Sequence, residues 1–263
     1  MDESSVTTTP PNTQGIPPDT TKVPEVTLGF WIIKIAATTV GETGGDSVSM
    51  SMNLGYLVGT GIFAALFVGA VILQIKAKRF HPVLYWATII ASTTVGTTLA
   101  DFTTRSLGVG YAGGSSLLLI LLLLSLYAWH RSLGSISVET VSTPKAELFY
   151  WVTIMFSQTL GTALGDWTAD TAGLGYIRAG IIFSVLLALV AALYLGTRIS
   201  RTILFWAAFV LTRPLGAVVG DFLDKPVTAG GLALSRYLAS AVLLLFIAVC
   251  LVVVPQRPAR EAH

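Results

Sequence analysis

Long apolar stretches separated by short polar or Gly- and Pro-containing breaks dominate the chain from residue 27 onwards. Each stretch has about 20 residues, the length at which an α-helix crosses about 30 Å of hydrocarbon. A transmembrane β-barrel would instead alternate apolar and polar residues. The pattern predicts an all-α membrane protein with eight transmembrane helices, at about 27–46, 53–75, 82–101, 110–129, 147–166, 174–196, 202–221 and 230–254.

Composition agrees with this prediction. Of the 263 residues, 53% are hydrophobic and only 11% are charged, and the mean hydropathy is +0.74, so the charges are too few to cover a water-soluble globule.

Residues 1–26 are rich in Thr and Pro and are predicted to be a disordered cytoplasmic tail, and residues 255–263 are predicted to be a second, short cytoplasmic tail. The single Cys250 allows no intrachain disulfide. The lipid bilayer is the expected partner, whereas no basic patch with interleaved aromatics indicates nucleic acid and no feature indicates an oligomeric state.

Basic residues are distributed unequally between the two ends of the predicted helices. Four lie at one end, namely Arg105, Arg178, Lys225 and Arg236. Ten lie in the terminal segments and in the connections after the second, fourth and sixth spans, namely Lys22, Lys76, Lys78, Arg79, Arg131, Lys145, Arg198, Arg201, Arg257 and Arg260. Because cytoplasmic loops carry the excess of Lys and Arg, both termini are predicted to be cytoplasmic.

The eight spans form four copies of a two-helix unit, at about 27–75, 82–129, 147–196 and 202–254. Each copy has a Trp, a Gly ten residues later, a Gly or Ala four residues after that, and then an Asp. The four Trp residues are Trp31, Trp86, Trp151 and Trp206, with spacings of 55, 65 and 55. Every copy starts on the predicted cytoplasmic side, so we expect parallel repeats, with a pseudo-twofold relation between copies one plus two and copies three plus four.

Several residues of the repeat have structural interpretations. The small residues are typical of closely packed transmembrane helices, and the Trp residues are typical of interfacial anchors. Gly–Tyr pairs such as Gly55–Tyr56 are expected to start the return helices. Lys34, one turn after Trp31, is expected to extend its amine to the cytoplasmic surface.

The repeat Asp residues are candidates for function, because an ionised carboxylate at membrane depth costs several kcal/mol unless it is paired or hydrated. In copies two and four a base follows the Asp by four residues, as in Asp101 with Arg105, so these copies are expected to neutralise themselves. Copies one and three instead double the acid, as Glu42/Asp46 and Asp166/Asp170. These two pairs are expected to face each other and to require a cation, although a plain polar rim at the outer ends of the helices is the alternative.

Carboxylate, hydroxyl and carbonyl oxygens suit hard cations such as Mn²⁺, Mg²⁺ or Ca²⁺, or protons. The predicted metal ligands are Glu42, Asp46, Asp166 and Asp170, with Asp101 and Asp221 in support. The predicted binding or gating residues are Thr38, Thr39, Thr94, Gln158, Thr159 and Arg213. Arg213 takes the repeat position of Thr38, as a fixed counter-ion or as a gate that mimics the cargo.

The motif Trp-x9-Gly-x3-(Gly/Ala)-Asp, present in all four copies over about residues 27–254, resembles a bacterial family of uncharacterised multi-pass membrane proteins with a tandem two-helix repeat and a characteristic Trp. The resemblance implies the bacterial inner membrane. From the residues, the leading hypothesis is a transporter or channel for hard cations such as manganese, with possible proton coupling. The alternative is a small-solute permease or membrane sensor in which the acids are structural. An enzyme is not expected, because the chain contains no HExxH motif, Ser/His/Asp set or nucleophile elbow.

Overall fold

The computed structural model describes residues 21–259, which form eight long helices and no sheet. Three of the helices continue into single π-helical turns at Ser47–Ser51, Phe102–Ser106 and Trp167–Thr171. The helices are α1 (Leu28–Asp46), α2 (Gly55–Lys76), α3 (Pro82–Asp101), α4 (Gly110–Leu133), α5 (Pro144–Asp166), α6 (Gly175–Gly196), α7 (Arg201–Asp224) and α8 (Arg236–Val253).

Within the described residues, six helices are long and apolar enough to cross a membrane, namely α2, α3, α4, α6, α7 and α8. The chain is therefore a multi-pass membrane protein. The helices α1 and α5 are equally long but more polar, since they contain side chains such as Glu42 and Gln158. Both lie between α3 and α7, and their membrane crossing stays a prediction.

The odd-numbered helices form a closed inner ring in which α1 contacts α3, α3 contacts α5, α5 contacts α7, and α7 returns to α1. Each even-numbered helix packs on the inner helix of the following repeat: α2 on α3, α4 on α5, α6 on α7, and α8 on α1. The outer helices present large apolar side chains that are more than half exposed, such as Leu66, Leu123, Leu189 and Leu245. An apolar surface on all four outer helices is the surface that lipid covers.

The repeat glycines allow the ring to close. A Cβ atom at each would collide with the residue that follows the Trp of the next repeat by seven positions. The pairs are Gly41 with Thr93, Gly96 with Gln158, Gly161 with Arg213, and Gly216 with Thr38. This confirms the packing interpretation of the glycines, because only a residue without a side chain allows the inner helices to approach so closely.

The Gly–Tyr pairs start three of the outer helices, as predicted. The helices α2, α4 and α6 begin at Gly55, Gly110 and Gly175, which have φ values of 75°, 73° and 71°. This left-handed conformation favours glycine, since it has no Cβ to collide with the backbone. At each of these glycines the chain reverses direction, and the outer helix runs back along the ring.

The repeat Trp residues are not interfacial anchors, contrary to the sequence-based interpretation. Trp86, Trp151 and Trp206 are at most 5% exposed and belong to the main hydrophobic core, while Trp31 is partly buried against it. Trp206 donates its Nε1–H to a backbone carbonyl at 3.0 Å. The side chains are buried because they lie where each inner helix meets its neighbours in the ring.

Six residues of the predicted disordered tail, 21–26, are ordered and differ from that expectation. The Lys22 ammonium donates to the Glu147 carboxylate at 2.6 Å, and both side chains are largely buried. Pro24 forms a short antiparallel bridge with Pro258, which orders the start of the C-terminal segment as well. A buried ion pair and backbone bonding hold this segment against the helices. The rest of both predicted tails, 1–20 and 260–263, lies outside the described residues.

Candidate functional site

The inner helices bury equivalent residues in three successive layers, seven, eleven and fifteen positions after each Trp, because residues four apart share one face of a helix. The arginine layer contains Thr38, Thr93, Gln158 and Arg213. The glutamate layer contains Glu42, Thr97, Thr162 and Ala217. The aspartate layer contains Asp46, Asp101, Asp166 and Asp221. All twelve are at most 2% exposed.

The Arg213 guanidinium lies in the middle of the ring. Its Nη2 contacts Glu42 Oε2 at 2.9 Å and donates to the hydroxyls of Thr97 and Thr162, while Nη1 donates to the Thr38 carbonyl at 3.4 Å. These partners come from the first, second and third repeats, and Arg213 comes from the fourth. One side chain therefore links all four repeats and fills the space between the inner helices at this level.

In the aspartate layer, two bases each join two repeats. Arg105 contacts Asp101 at 2.9 Å and Asp166 at 3.3 Å. Lys225 contacts Asp221 at 3.0 Å and Asp46 at 2.8 Å. The pairing of each base with the Asp four residues earlier is as predicted. The same bases also reach the acids of repeats three and one.

The acidic pairs of copies one and three were expected to require a cation, and bases of the protein itself supply positive charge to them, with Arg213 placed against Glu42 as a fixed counter-ion would be. Glu42 pairs with Arg213, Asp46 with Lys225, and Asp166 with Arg105. The two predicted pairs also do not form one site, because Asp170 is 41% exposed and contacts Arg105 at 3.9 Å. The neutralising base comes from the neighbouring helix of the ring, which the sequence register does not identify.

A different set of carboxylates converges. Among the described residues, one oxygen each of Glu42, Asp46 and Asp221 lie within 4.8 Å of one another, and all three side chains are buried. The Oδ1 atom of Asp46 has no hydrogen-bond partner among the described residues. We call these three residues the carboxylate triad. It joins the two acids of the first repeat to the Asp of the fourth, because α7 closes the ring against α1.

The triad lies among further ion pairs at this end of the ring, which form three separate groups around Arg105, Arg213 and Lys225. Seven carboxylates and four bases take part, which leaves a formal charge of −3 when all are ionised. The bases are Arg105, Arg213, Lys225 and Arg236. The excess of acid favours the entry of further positive charge.

The six predicted binding or gating residues separate into two groups. Thr38, Gln158 and Arg213 lie in the arginine layer, and both amide atoms of Gln158 lack partners among the described residues. By contrast, the hydroxyls of Thr39, Thr94 and Thr159 donate to carbonyls of their own helices, at 2.8–3.0 Å. Each of these three residues follows a residue of the arginine layer by one position, so its side chain points away from the three layers.

Four site residues were absent from the predicted set. Thr97 and Thr162 bind the Arg213 guanidinium, and their position four residues before the repeat Asp, equivalent to Glu42, could have identified them. Asp224 and Arg236 pair with each other at 2.7 Å. Arg236 also lies 3.7 Å from Asp46. Asp224 and Arg236 follow Asp221, the repeat Asp of the fourth copy, and the other three copies have no charged residue at the equivalent positions.

Lys34 does not extend to the surface, contrary to expectation. Its side chain is fully buried, with Nζ 4.1 Å from the centre of the Phe209 ring and without a hydrogen-bond partner among the described residues. Lys34 lies one helical turn before Thr38, and Phe209 one turn before Arg213. The closed ring of helices leaves the amine no path to the surface.

Among known protein families, one described as Repeat of Unknown Function (DUF347) matches four segments of the chain. The segments are 29–80, 84–135, 149–200 and 204–254. They coincide with the four Trp-containing units and cover most of the sequence. No curated protein and no solved structure matches the chain.

Proposed function

Since the chain belongs to the family of this repeat, whose description assigns no activity, we propose from its site that the protein is a membrane transporter or channel for hard cations. The cargo is a divalent metal such as Mn²⁺, and the same carboxylates can carry protons. The carboxylate triad binds the ion, with Asp101 and Asp166 lining the same end of the ring. In this proposal the protein lies in the bacterial inner membrane.

One observation carries the proposal: three buried carboxylates from two repeats place oxygens within 4.8 Å of one another. Two opposite oxygen ligands of a Ca²⁺ ion lie about 5 Å apart, and those of Mg²⁺ about 4 Å apart. A single hard cation therefore fits between the three oxygens. At this end of the ring the acids outnumber the bases that pair with them, and the unpartnered Oδ1 of Asp46 leaves capacity for a ligand bond.

The layers suggest how passage is controlled. Inward of the triad, the Arg213 guanidinium occupies the centre of the ring. Further inward, the hydroxyls of Tyr85 and Tyr150 form a hydrogen bond of 2.6 Å. The rings of Phe30 and Phe205 pack with their centres 6.3 Å apart. A cation bound at the triad can go further only when Arg213 moves. This favours a carrier with a closed ring over a permanently open channel.

Orientation follows from the charge distribution, with both termini cytoplasmic and the triad near the outer face. The two bridging bases, Arg105 between repeats two and three and Lys225 between repeats four and one, support the pseudo-twofold relation of the halves. Under this arrangement, the triad and the Asp101/Asp166 pair are related positions, and among the described residues the triad is the one where three carboxylate oxygens lie within 4.8 Å of one another.

The test is cation flux in proteoliposomes. Glu42→Gln, Asp46→Asn and Asp221→Asn should each lower Mn²⁺ flux at least tenfold, because each removes one ligand. Asp170→Asn is the matched control: it removes an exposed carboxylate from the same end and should leave flux within twofold of wild type. If correctly inserted triad variants transport Mn²⁺ as fast as wild type, the proposal is wrong.

The ion pairing favours a second candidate, a small-solute permease or membrane sensor whose acids hold the helices together. Every acid of the triad contacts at least one base within 3.0 Å. This version predicts that triad variants unfold at lower temperature and that no divalent cation raises the unfolding temperature of wild type. Thermal unfolding of purified protein with and without Mn²⁺ distinguishes the two functions.

A further inference from the structure

The Lys225 side chain occupies the triad in the structure. Its Nζ lies 2.8 Å from Asp46 Oδ2 and 3.0 Å from Asp221 Oδ1. Those are two of the three carboxylates that would hold a metal ion. An ammonium and a metal ion compete for these carboxylates, because their like charges repel each other at such short range.

Lys225 is attached in a way that lets its charge leave while its backbone stays. It follows the last residue of α7, with its N–H donating to the Asp221 carbonyl at 2.9 Å and its own carbonyl accepting from Ala233 at 2.9 Å. The side chain is 13% exposed, whereas the triad carboxylates are at most 3% exposed. A Lys ammonium is a compact charge on a flexible four-carbon stem. It can therefore turn outwards without unfolding α7.

A second base helps to keep positive charge at this place. Arg236 Nη2 lies 3.7 Å from Asp46 Oδ2, but its Nε is held by Asp224 at 2.7 Å. Arg236 has its own carboxylate, so it can remain paired when the triad changes partner. Among the described residues, the ion-pair partners of Lys225 are Asp46 and Asp221, both of which belong to the triad.

We infer that Lys225 is a tethered competitor that excludes monovalent cations from the triad and so determines its preference for divalent ones. Tethering gives the ammonium a high effective concentration at the triad. A monovalent cation brings the same unit charge without that advantage and does not displace it. A divalent cation has twice the Coulomb attraction to the same carboxylates and does. This inference rests on the proposed function, since it assigns a selectivity role at the same site.

The experiment measures thermal unfolding of the purified full-length protein in detergent, titrated with Mn²⁺ or with K⁺ at constant ionic strength. Lys225→Met should bind Mn²⁺ at least tenfold more tightly than wild type and should gain a stabilisation by K⁺ that wild type lacks. Lys225→Gln, which keeps hydrogen-bond donors without the charge, should behave in the same way and replaces the Met variant if that one does not fold. Arg178→Met removes an exposed positive charge near the start of α6 and should titrate like wild type.

The outcomes separate the inference from the function on which it rests. If Asp46→Asn abolishes the Mn²⁺ response of wild type but the Lys225 variants bind neither Mn²⁺ more tightly nor K⁺ at all, the competitor role is overturned and the cation site stands. If neither wild type nor the Lys225 variants respond to Mn²⁺, both are overturned. A gain of K⁺ response in Arg178→Met as well would also overturn the role, because general charge loss would then explain it.

Discussion

The Arg213–Glu42 pair offers the sharpest test of how the ring is held together. Arg213 is fully buried and Glu42 is 2% exposed, and their charged atoms lie 2.9 Å apart. Arg213→Met keeps an unbranched apolar stem but removes the guanidinium, its charge and its hydrogen bonds to Thr97 and Thr162. The Glu42 carboxylate would then be buried without its base.

The expected magnitude follows from that geometry. Breaking a buried pair by removing one partner typically costs about 3–5 kcal/mol, because the other charge stays buried and uncompensated. The total free energy of unfolding of a protein is about 5–15 kcal/mol. For a chain of this size each kcal/mol corresponds to about 2–4 °C in unfolding temperature, so Arg213→Met should lower it by roughly 10 °C.

A double-mutant cycle makes the prediction specific to the pair. Replacing both charges, as Glu42→Met with Arg213→Met, removes the unpaired charge that each single change leaves behind, and apolar replacement of a whole buried pair is often neutral. The double variant should therefore unfold at a higher temperature than either single variant. Far-ultraviolet circular dichroism during heating in detergent measures all four proteins. Single variants within about 2 °C of wild type, or a double variant no better than the worse single one, would refute the reasoning.

The remaining predictions use the same assay. Gly41→Ala should lower the free energy of unfolding by about 2 kcal/mol, because the new Cβ would collide with Thr93, whereas Gly44→Ala, with nothing within 4 Å of its Cβ, should be neutral or slightly stabilising. Equal effects of the two changes would contradict the close approach of α1 and α3. Lys34→Met should raise the unfolding temperature, because a fully buried amine without a hydrogen-bond partner other than the Phe209 ring is costly. A lower temperature would mean that the amine is a net stabilising element.

Features with local causes could be predicted from the sequence. The four repeats follow from the spacing of Trp, Gly and Asp. The apolar lengths placed seven of the eight helices to within four residues at each end, whereas α8 starts at Arg236, six residues after the predicted start. Glycine at the starts of α2, α4 and α6 follows from backbone geometry at single positions. The contact of Arg105 with Asp101 follows from the four-residue period of a helix. Each of these depends on neighbours along the chain.

Which repeats meet at the site depends on how the helices are ordered around the ring. Lys225 neutralises Asp46 from 179 positions away, and Asp221 joins Glu42 and Asp46 in the triad, because α7 closes the ring against α1. Closure of the ring also buries Lys34, which has a surface within reach on an isolated helix. The repeat, the helices and the types of charge could all be predicted from the sequence. The choice of partner for each charge depends on the order of helices around the ring, since electrostatic contacts act through space and not along the chain.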